Sequence, residues 1–281
     1  MILLHLIVAA FYALAAWSLW PAHAASTAHA SGPAATVPAS PVRPPPAWGA
    51  WLVPIALLLH AWVAARDVAT PEGLDLSLDN ALSVVAGLVA AVAWASGLLR
   101  ALPTIATVVL PVACVGVLLP ILASNPHRFP YADAPWAALH VGVALVAYAL
   151  FLVAAVQALV LMGLEKRLHR RLPDPSADRM PPLLTLERFL FRLVGTGFVL
   201  LTLTIASGGL FSEQVFGRPF TFNHKSVFSV LSWLVFGALL WGRWRYGWRG
   251  RVALRWILTG TMLLFLAYLG SKFVLEVLLR R

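Results

Sequence analysis

The stretch "PWAALHVGVALVAYALFLVAAV", residues Pro135 to Val156, decides the fold. An α-helix rises about 1.5 Å per residue and the hydrocarbon core of a bilayer is about 30 Å thick, so about 20 mostly apolar residues cross it. This stretch has that length and no charged side chain. It does carry His140, about one turn in. A titratable imidazole inside a span is costly, so it marks either a ligand or a hydrogen bond that glues helices together.

Comparable runs recur along the chain. Eight spans are expected, at about 2–20, 47–65, 79–99, 104–123, 136–164, 188–211, 225–242 and 252–278. No water is available in lipid to satisfy backbone N–H and C=O groups, so each span is a helix. The predicted fold class is all-α, a polytopic membrane helix bundle. Pro111 and Pro120 are expected to kink the fourth span or end it early. Residues 21–46 are rich in Ala, Pro and Ser, cannot build a core and read as a disordered linker. That leaves 1–20 as a first helix and 47–281 as a seven-helix membrane domain.

Composition agrees. The chain is 60% hydrophobic and 11% charged, where a soluble domain carries roughly 25% charge. The net charge of +10 therefore marks cytoplasmic loops and not nucleic-acid binding. The single cysteine, Cys114, allows no disulfide framework. No CxxC or CxxCH occurs, which excludes covalent c-type haem attachment to this chain and a thiol oxidoreductase.

Lys166, Arg167, Arg170, Arg171, Arg179 and Arg188 crowd the fifth loop, and Arg243, Arg245, Arg249 and Arg251 the seventh. Asp67, Glu72, Asp75, Asp133 and Glu213 fall in even-numbered loops. The positive-inside rule then makes the odd loops cytoplasmic and places both termini on the periplasmic side. The first 24 residues end in an A-x-A-like sequence but lack a basic start, and they read as a span and not a cleaved signal.

Topology gathers four histidines near the outer leaflet. His60 lies in the outer third of the second span, His140 one turn into the fifth, His224 at the mouth of the seventh, and His5 at the outer end of the first. Ala56, His60 and Ala64 share one helical stripe; His140, Ala144, Ala147, Tyr148 and Phe151 share another. Small neighbours leave room for a close helix or for a flat ligand. Neutral imidazole ligates Zn, Cu, Ni or haem iron. A dedicated zinc site usually adds a thiolate or carboxylate, so axial ligation of haem iron by His60 and His140, with Tyr148, Phe228, Trp136 and Trp233 packing on the ring, fits better.

No G-x-S-x-G, H-E-x-x-H or phosphate-loop lysine motif occurs, so no catalytic residue is assigned. "SGGLF" (207–211) reads as turn-like, and Thr185 as an N-cap. A transporter or efflux accessory for a small cation or metabolite, and a non-catalytic scaffold, are the alternatives from other classes. The first predicts carboxylates in mid-membrane, and Asp79 and Glu276 lie only near span ends.

Four segments, "SLDNALSVVAGLVA" (77–90), "LHVGVALVAYALF" (139–151), "MPPLLTLERFLFRLVGTGFVLLTLTIASGGLF" (180–211) and "GWRGRVALRWILTGTMLLFLAYLGSKFV" (247–274), together resemble the cytochrome c assembly (CcsA-like) superfamily. The closest look is the eight-span YpjD/HemX-like inner-membrane branch. The resemblance implies a bacterial inner-membrane protein that binds or moves haem, of b type, in or beside cytochrome c maturation. It also implies haem and other maturation membrane proteins as partners, beside the lipid bilayer. It points to His60, His140 and His224 as haem-binding residues, with Tyr148 beside them. Such proteins carry a tryptophan-rich WWD motif in an outer loop. Here that loop reads "SEQVFGRPFTFNHKSVFSVLSW", with no tryptophan before Trp233. The expectation is haem handling without full haem lyase activity; a regulator of tetrapyrrole synthesis is the related alternative.

Overall fold

A computed structural model of the chain describes residues 2–28, 49–70, 73–75, 77–122, 128–129, 135–169, 182–210 and 224–270. The long helices are α1 (Ile2–Ala28), α2 (Gly49–Val68), α3 (Leu78–Ala95), α5 (Pro103–Leu122), α6 (Pro135–His169), α7 (Leu183–Leu210), α8 (His224–Tyr246) and α9 (Gly250–Phe265), with a short α4 (Leu98–Ala101). Eight of the described helices are long and apolar enough to cross a membrane. The all-α membrane bundle is what the hydropathy of the chain predicts.

Local chemistry sets the boundaries. α3 and α4 are split at Gly97, whose φ of 75° is the left-handed geometry that glycine takes without strain. α5 opens on Pro103, the first-turn position where a missing N–H costs nothing. It then runs through Pro111 and Pro120 without ending at either. Neither proline stops the helix early, because packed neighbours and local adjustment let membrane helices carry proline. α7 is capped one turn earlier than Thr185: the Pro182 carbonyl accepts from the amides of Thr185 and Leu186 at 2.8 and 3.2 Å. α1 continues through Ala28, eight residues into the stretch read as linker. Residues 29–48 lie outside the described residues.

A small antiparallel sheet ties one end of the bundle together: β1 (Ala69–Thr70), β2 (Gly73–Asp75) and β3 (Arg128–Phe129), in that order. Ala69 pairs with Leu74, and Asp75 with Arg128. Because β1 follows α2, β2 precedes α3 and β3 precedes α6, the C-terminus of α2 and the N-terminus of α3 share this end. Strands of two or three residues add little stability by themselves, but here they fix which helix ends meet.

The helices form two groups. α1, α2, α3 and α5 pack on one another, as do α6, α7, α8 and α9, and α6 joins the groups by packing on α3 and α5. Between α6 and α8, Phe151 and Phe236 stack with ring centroids 3.9 Å apart and planes 12° from parallel. Gly197 of α7 faces Phe151 and Gly260 of α9 faces Phe236. Two glycines thus let four helices close on one aromatic pair. Ser232 donates to the Gly260 carbonyl at 2.8 Å, which confirms how near α8 and α9 approach there.

The two ends differ in charge. At the α7 N-terminus and α8–α9 turn, Arg243 donates to Glu187 at 2.7 Å and to the Trp248 carbonyl at 3.1 Å. Arg251 lies 3.7 Å from Glu165. The sheet end carries Asp67, Asp75 and Asp79.

Candidate functional site

Three helices converge on His60. The imidazole is 2% exposed, and both of its nitrogens have partners: the Tyr12 hydroxyl of α1 lies 3.1 Å from Nδ1, and the Ser83 hydroxyl of α3 lies 3.1 Å from Nε2. A neutral imidazole has one donor and one acceptor, so two hydroxyls that can each donate or accept satisfy it fully. The Tyr12 ring meets the imidazole edge-on, centroids 5.7 Å apart. On α3, Gly87 makes room: a Cβ there would sit 3.1 Å from His60 Cε1 and Nδ1.

A second rung lies one i, i+7 step away on the same helix faces. His5 of α1 donates from Nε2 to Asp67 Oδ2 of α2 at 2.8 Å. His5 and Tyr12 are seven residues apart, as are His60 and Asp67, which is two turns and about 10 Å. The two pairings therefore fix α1 and α2 as antiparallel neighbours in one register. Asn80, at the start of α3, donates to the carbonyls of Asp67 and Asp75 at 3.4 and 3.2 Å. The outcome is a buried polar seam through the α1–α2–α3 junction. Asp67, read from the sequence as a loop acid, is the histidine partner that residue-by-residue reading missed.

His140 stands in the other group of helices. It is half-buried, and its Nδ1 lies 2.7 Å from the Ser207 hydroxyl in the last turn of α7. Ser207 in turn donates to the Thr204 carbonyl at 3.1 Å. Gly208 follows: a Cβ there would meet His140 Cε1 at 3.3 Å and Nε2 at 4.0 Å. "SGG" is thus helical, not a turn, and its small residues form the wall against which the imidazole edge rests.

Tyr148, two turns deeper on α6, is buried and donates to the Leu264 carbonyl at 3.2 Å. Leu264 lies just ahead of the π-helical segment Leu266–Gly270, where the regular i to i−4 ladder shifts. The Tyr148 ring lies 6.1 Å from that of Tyr268, tilted by 59°. His224 is the first residue of α8, and its side chain lies outside the described residues. Trp233 stacks on Phe198 at 5.7 Å and donates to Thr202 at 2.9 Å. With Thr202, Ile205, Ala206 and Val230 it lines an apolar groove of about 220 Å³ between α7 and α8. At 100° per residue, those α7 positions point away from Ser207 and Gly208, so the groove is not the space that His140 faces.

The chain thus gives His60 the partners Tyr12 and Ser83, and His140 the neighbours Ser207 and Gly208. Among the described residues no group of three or more His, Cys, Asp or Glu is placed to hold a metal ion. An axial haem ligand needs only one imidazole nitrogen and space at its edge. At His140, Nδ1 is held by Ser207 and the Cε1 edge lies against Gly208. His60 can ligate only after one of its two hydrogen bonds opens.

Comparisons with known proteins give the context. Residues 48–279 match the family described as cytochrome C assembly protein. The chain is similar to the inner membrane protein YpjD of Escherichia coli strain K12, 30% identical over 80% of this chain and 85% of that one. It is also similar to the cytochrome c biogenesis protein CcsA of Thermosynechococcus vestitus, 26% identical over 60% of this chain and 66% of that one. A third relative, an uncharacterized 28.8 kDa protein of Azospirillum brasilense, is 35% identical over 59% of this chain and 62% of its own length. No solved structure matches the chain.

Proposed function

The chain belongs to the cytochrome c assembly protein family, and from that premise we propose that it binds haem non-covalently in the inner membrane during cytochrome c biogenesis, without full haem lyase activity. The observation that carries this reading is the setting of His140. A ligating histidine almost always has its other ring nitrogen hydrogen-bonded, and the 2.7 Å Ser207 contact supplies that bond. The haem would be of b type, because the chain has no CxxCH motif to hold it covalently. Bound there, it would supply the cargo or redox group that maturation consumes. His140 would hold the iron, and Tyr148, anchored to Leu264, would keep α6 and α9 in register beneath it.

His60 and His224 belong to the same proposal. His224 opens α8 at the end of the bundle that also bears His140 and the α7 C-terminus. His60 is the reserve ligand of the neighbouring helix group. In this proposal 47–281 is the haem-handling unit, and α1 is an added helix that completes the His60 environment. The basic end, with Arg188, Arg243, Arg245, Arg249 and Arg251, faces the cytoplasm under the positive-inside rule, which puts both termini in the periplasm. Other membrane proteins of the maturation machinery are the expected partners. Loss of lyase activity follows from the missing tryptophans ahead of Trp233.

The test is genetic and chemical together. In a bacterium lacking this protein, covalently bound haem in c-type cytochromes should fall, and the wild-type chain should restore it. His140→Ala, expressed to the same level in the membrane, should restore it poorly. Full restoration by His140→Ala would overturn the role assigned to that imidazole.

A further inference from the structure

We propose that the turn end of the α8–α9 hairpin is a docking surface for anionic phospholipid, with Arg245, Arg249 and Arg255 taking the headgroup beside a collar of packed aromatic rings. The inference is independent of the haem reading above.

Spacing along the two helices sets out the surface. Leu234, Ala238, Trp241 and Arg245 follow one another on α8 at steps of four, three and four residues, and all are exposed. Such steps keep side chains on one helical face. Arg255, Thr259, Met262 and Leu266 repeat the same steps on α9, again all exposed. Both helices are long and apolar enough to cross a membrane, so these stripes meet acyl chains. Each stripe changes from apolar to cationic at the hairpin turn. α8 ends at Tyr246 and α9 starts at Gly250, which puts Trp241 and Arg255 each five residues, about 7.5 Å, from the turn. Trp244, Arg245, Tyr246 and Arg249 are exposed nearer the turn. Apolar side chains, then tryptophan, then arginine is the order in which a leaflet presents acyl chains, the interfacial belt and phosphate.

The turn itself is tightly packed. Gly247 takes a φ of 66°, and Trp248 folds back on Gly242, where any Cβ would overlap the indole. Trp248 packs on Trp256, and Trp241 meets Trp244 edge-on, each pair with centroids 5.3 Å apart. The arginines around this collar are of two kinds. Arg243 is spent inside the fold, on Glu187 and the Trp248 carbonyl and over the Phe191 ring at 4.4 Å. Arg251 lies 3.7 Å from Glu165. Arg245 lies over the Tyr246 ring at 5.5 Å, and among the described residues Arg245, Arg249 and Arg255 have no acidic partner. Guanidinium pairs with phosphate through two parallel hydrogen bonds. A free anion would use the arginines alone; a lipid also uses the apolar stripes that lead up to them. At the sheet end Arg66 lies over Trp62 at 5.5 Å, but that end also carries Asp67, Asp75 and Asp79. The same arginine–tryptophan chemistry is there set among negative charge, which disfavours an anionic headgroup.

The experiment reconstitutes the full chain in phosphatidylcholine vesicles and adds a minor fraction of phosphatidylglycerol brominated on its acyl chains, with brominated phosphatidylcholine as the reference. Bromine quenches tryptophan on contact, and Trp241 and Trp244 stand beside the arginines. Wild type should associate preferentially with phosphatidylglycerol, and the excess quenching should vanish when Trp241→Phe and Trp244→Phe are combined. Arg245→Gln, Arg249→Gln and Arg255→Gln should each lower the preference by up to about 5-fold, the worth of one basic side chain at a charged leaflet, and together should bring it to parity. Arg245→Lys, Arg249→Lys and Arg255→Lys together should keep most of the preference, which separates lost charge from lost folding. Arg66→Gln should keep all of it. Equal association of the two lipids with wild type, a triple Gln variant that keeps the preference, or an equal loss in Arg66→Gln would overturn the inference. Abolition of the excess quenching by millimolar inorganic phosphate would also overturn it, by marking a general anion site.

Discussion

Gly260→Ala should destabilise the bundle, and the structure gives the size of the effect. A Cβ at position 260 would stand 2.7, 2.9 and 3.0 Å from Cζ, Cε1 and Cε2 of Phe236, closer than carbon atoms tolerate. The ring has nowhere to retreat. Its far side stacks on Phe151 at 3.9 Å, and Phe151 already leaves only 3.0 Å to a Cβ at Gly197. Overpacking of a close-packed core costs typically about 1–3 kcal/mol, and a rigid two-ring stack puts this site at the upper end. Against it, alanine gains about 1 kcal/mol over glycine in helix propensity. The net expectation is a loss of about 1–2 kcal/mol. Gly163→Ala on α6 is the control: nothing lies within 4 Å, so only the propensity gain of up to about 1 kcal/mol applies. The two variants should differ by about 2–3 kcal/mol, roughly 30- to 150-fold in the unfolding equilibrium. Denaturant titration of the purified protein in detergent, followed by tryptophan fluorescence, measures this. A Gly260→Ala protein as stable as Gly163→Ala would refute the four-helix stack.

The polar seam gives two further tests. Asp67→Asn and His5→Ala should each lower stability by about 1–3 kcal/mol, and the double variant should lose less than the sum, because each single change strands a buried partner; strict additivity in the same titration would show that the pair does not couple. Tyr12→Phe and Ser83→Ala should each cost about 0.6–1.7 kcal/mol, the range for hydrogen bonds between membrane helices, and Tyr12→Phe should also loosen α1, read as faster proteolysis between α1 and α2; an unchanged cleavage rate would count against Tyr12 as the clasp.

Hydropathy made the bundle readable because lipid demands long apolar helices and allows few alternatives. Which end of the bundle the histidines share was readable too, since residue spacing along a helix is fixed: His5, His60 and His140 all lie toward the sheet end. Their partners were not. Ser207 is 67 positions from His140 and Asp67 is 62 from His5, and no local period links them. "SGG" carries the composition of a turn, yet it closes the last turn of α7, because helices in lipid keep their backbone bonds even through glycine. Asp67 looked like a solvated loop charge, and it is drawn in because His5 arrives at the same level from α1. Proline misled in the same way: in α5 the bundle overrides the local preference of Pro111 and Pro120. The two- and three-residue strands fall below any alternation that a sequence can display.

The most direct measurement is the reduced-minus-oxidised absorption spectrum of the detergent-purified chain after expression with ample haem. The account predicts a Soret band and b-type α and β bands, released as free haem by acid extraction, with the band weakened or shifted in His140→Ala and retained in Gly209→Ala. A colourless wild-type protein, or an identical spectrum in His140→Ala, would contradict it.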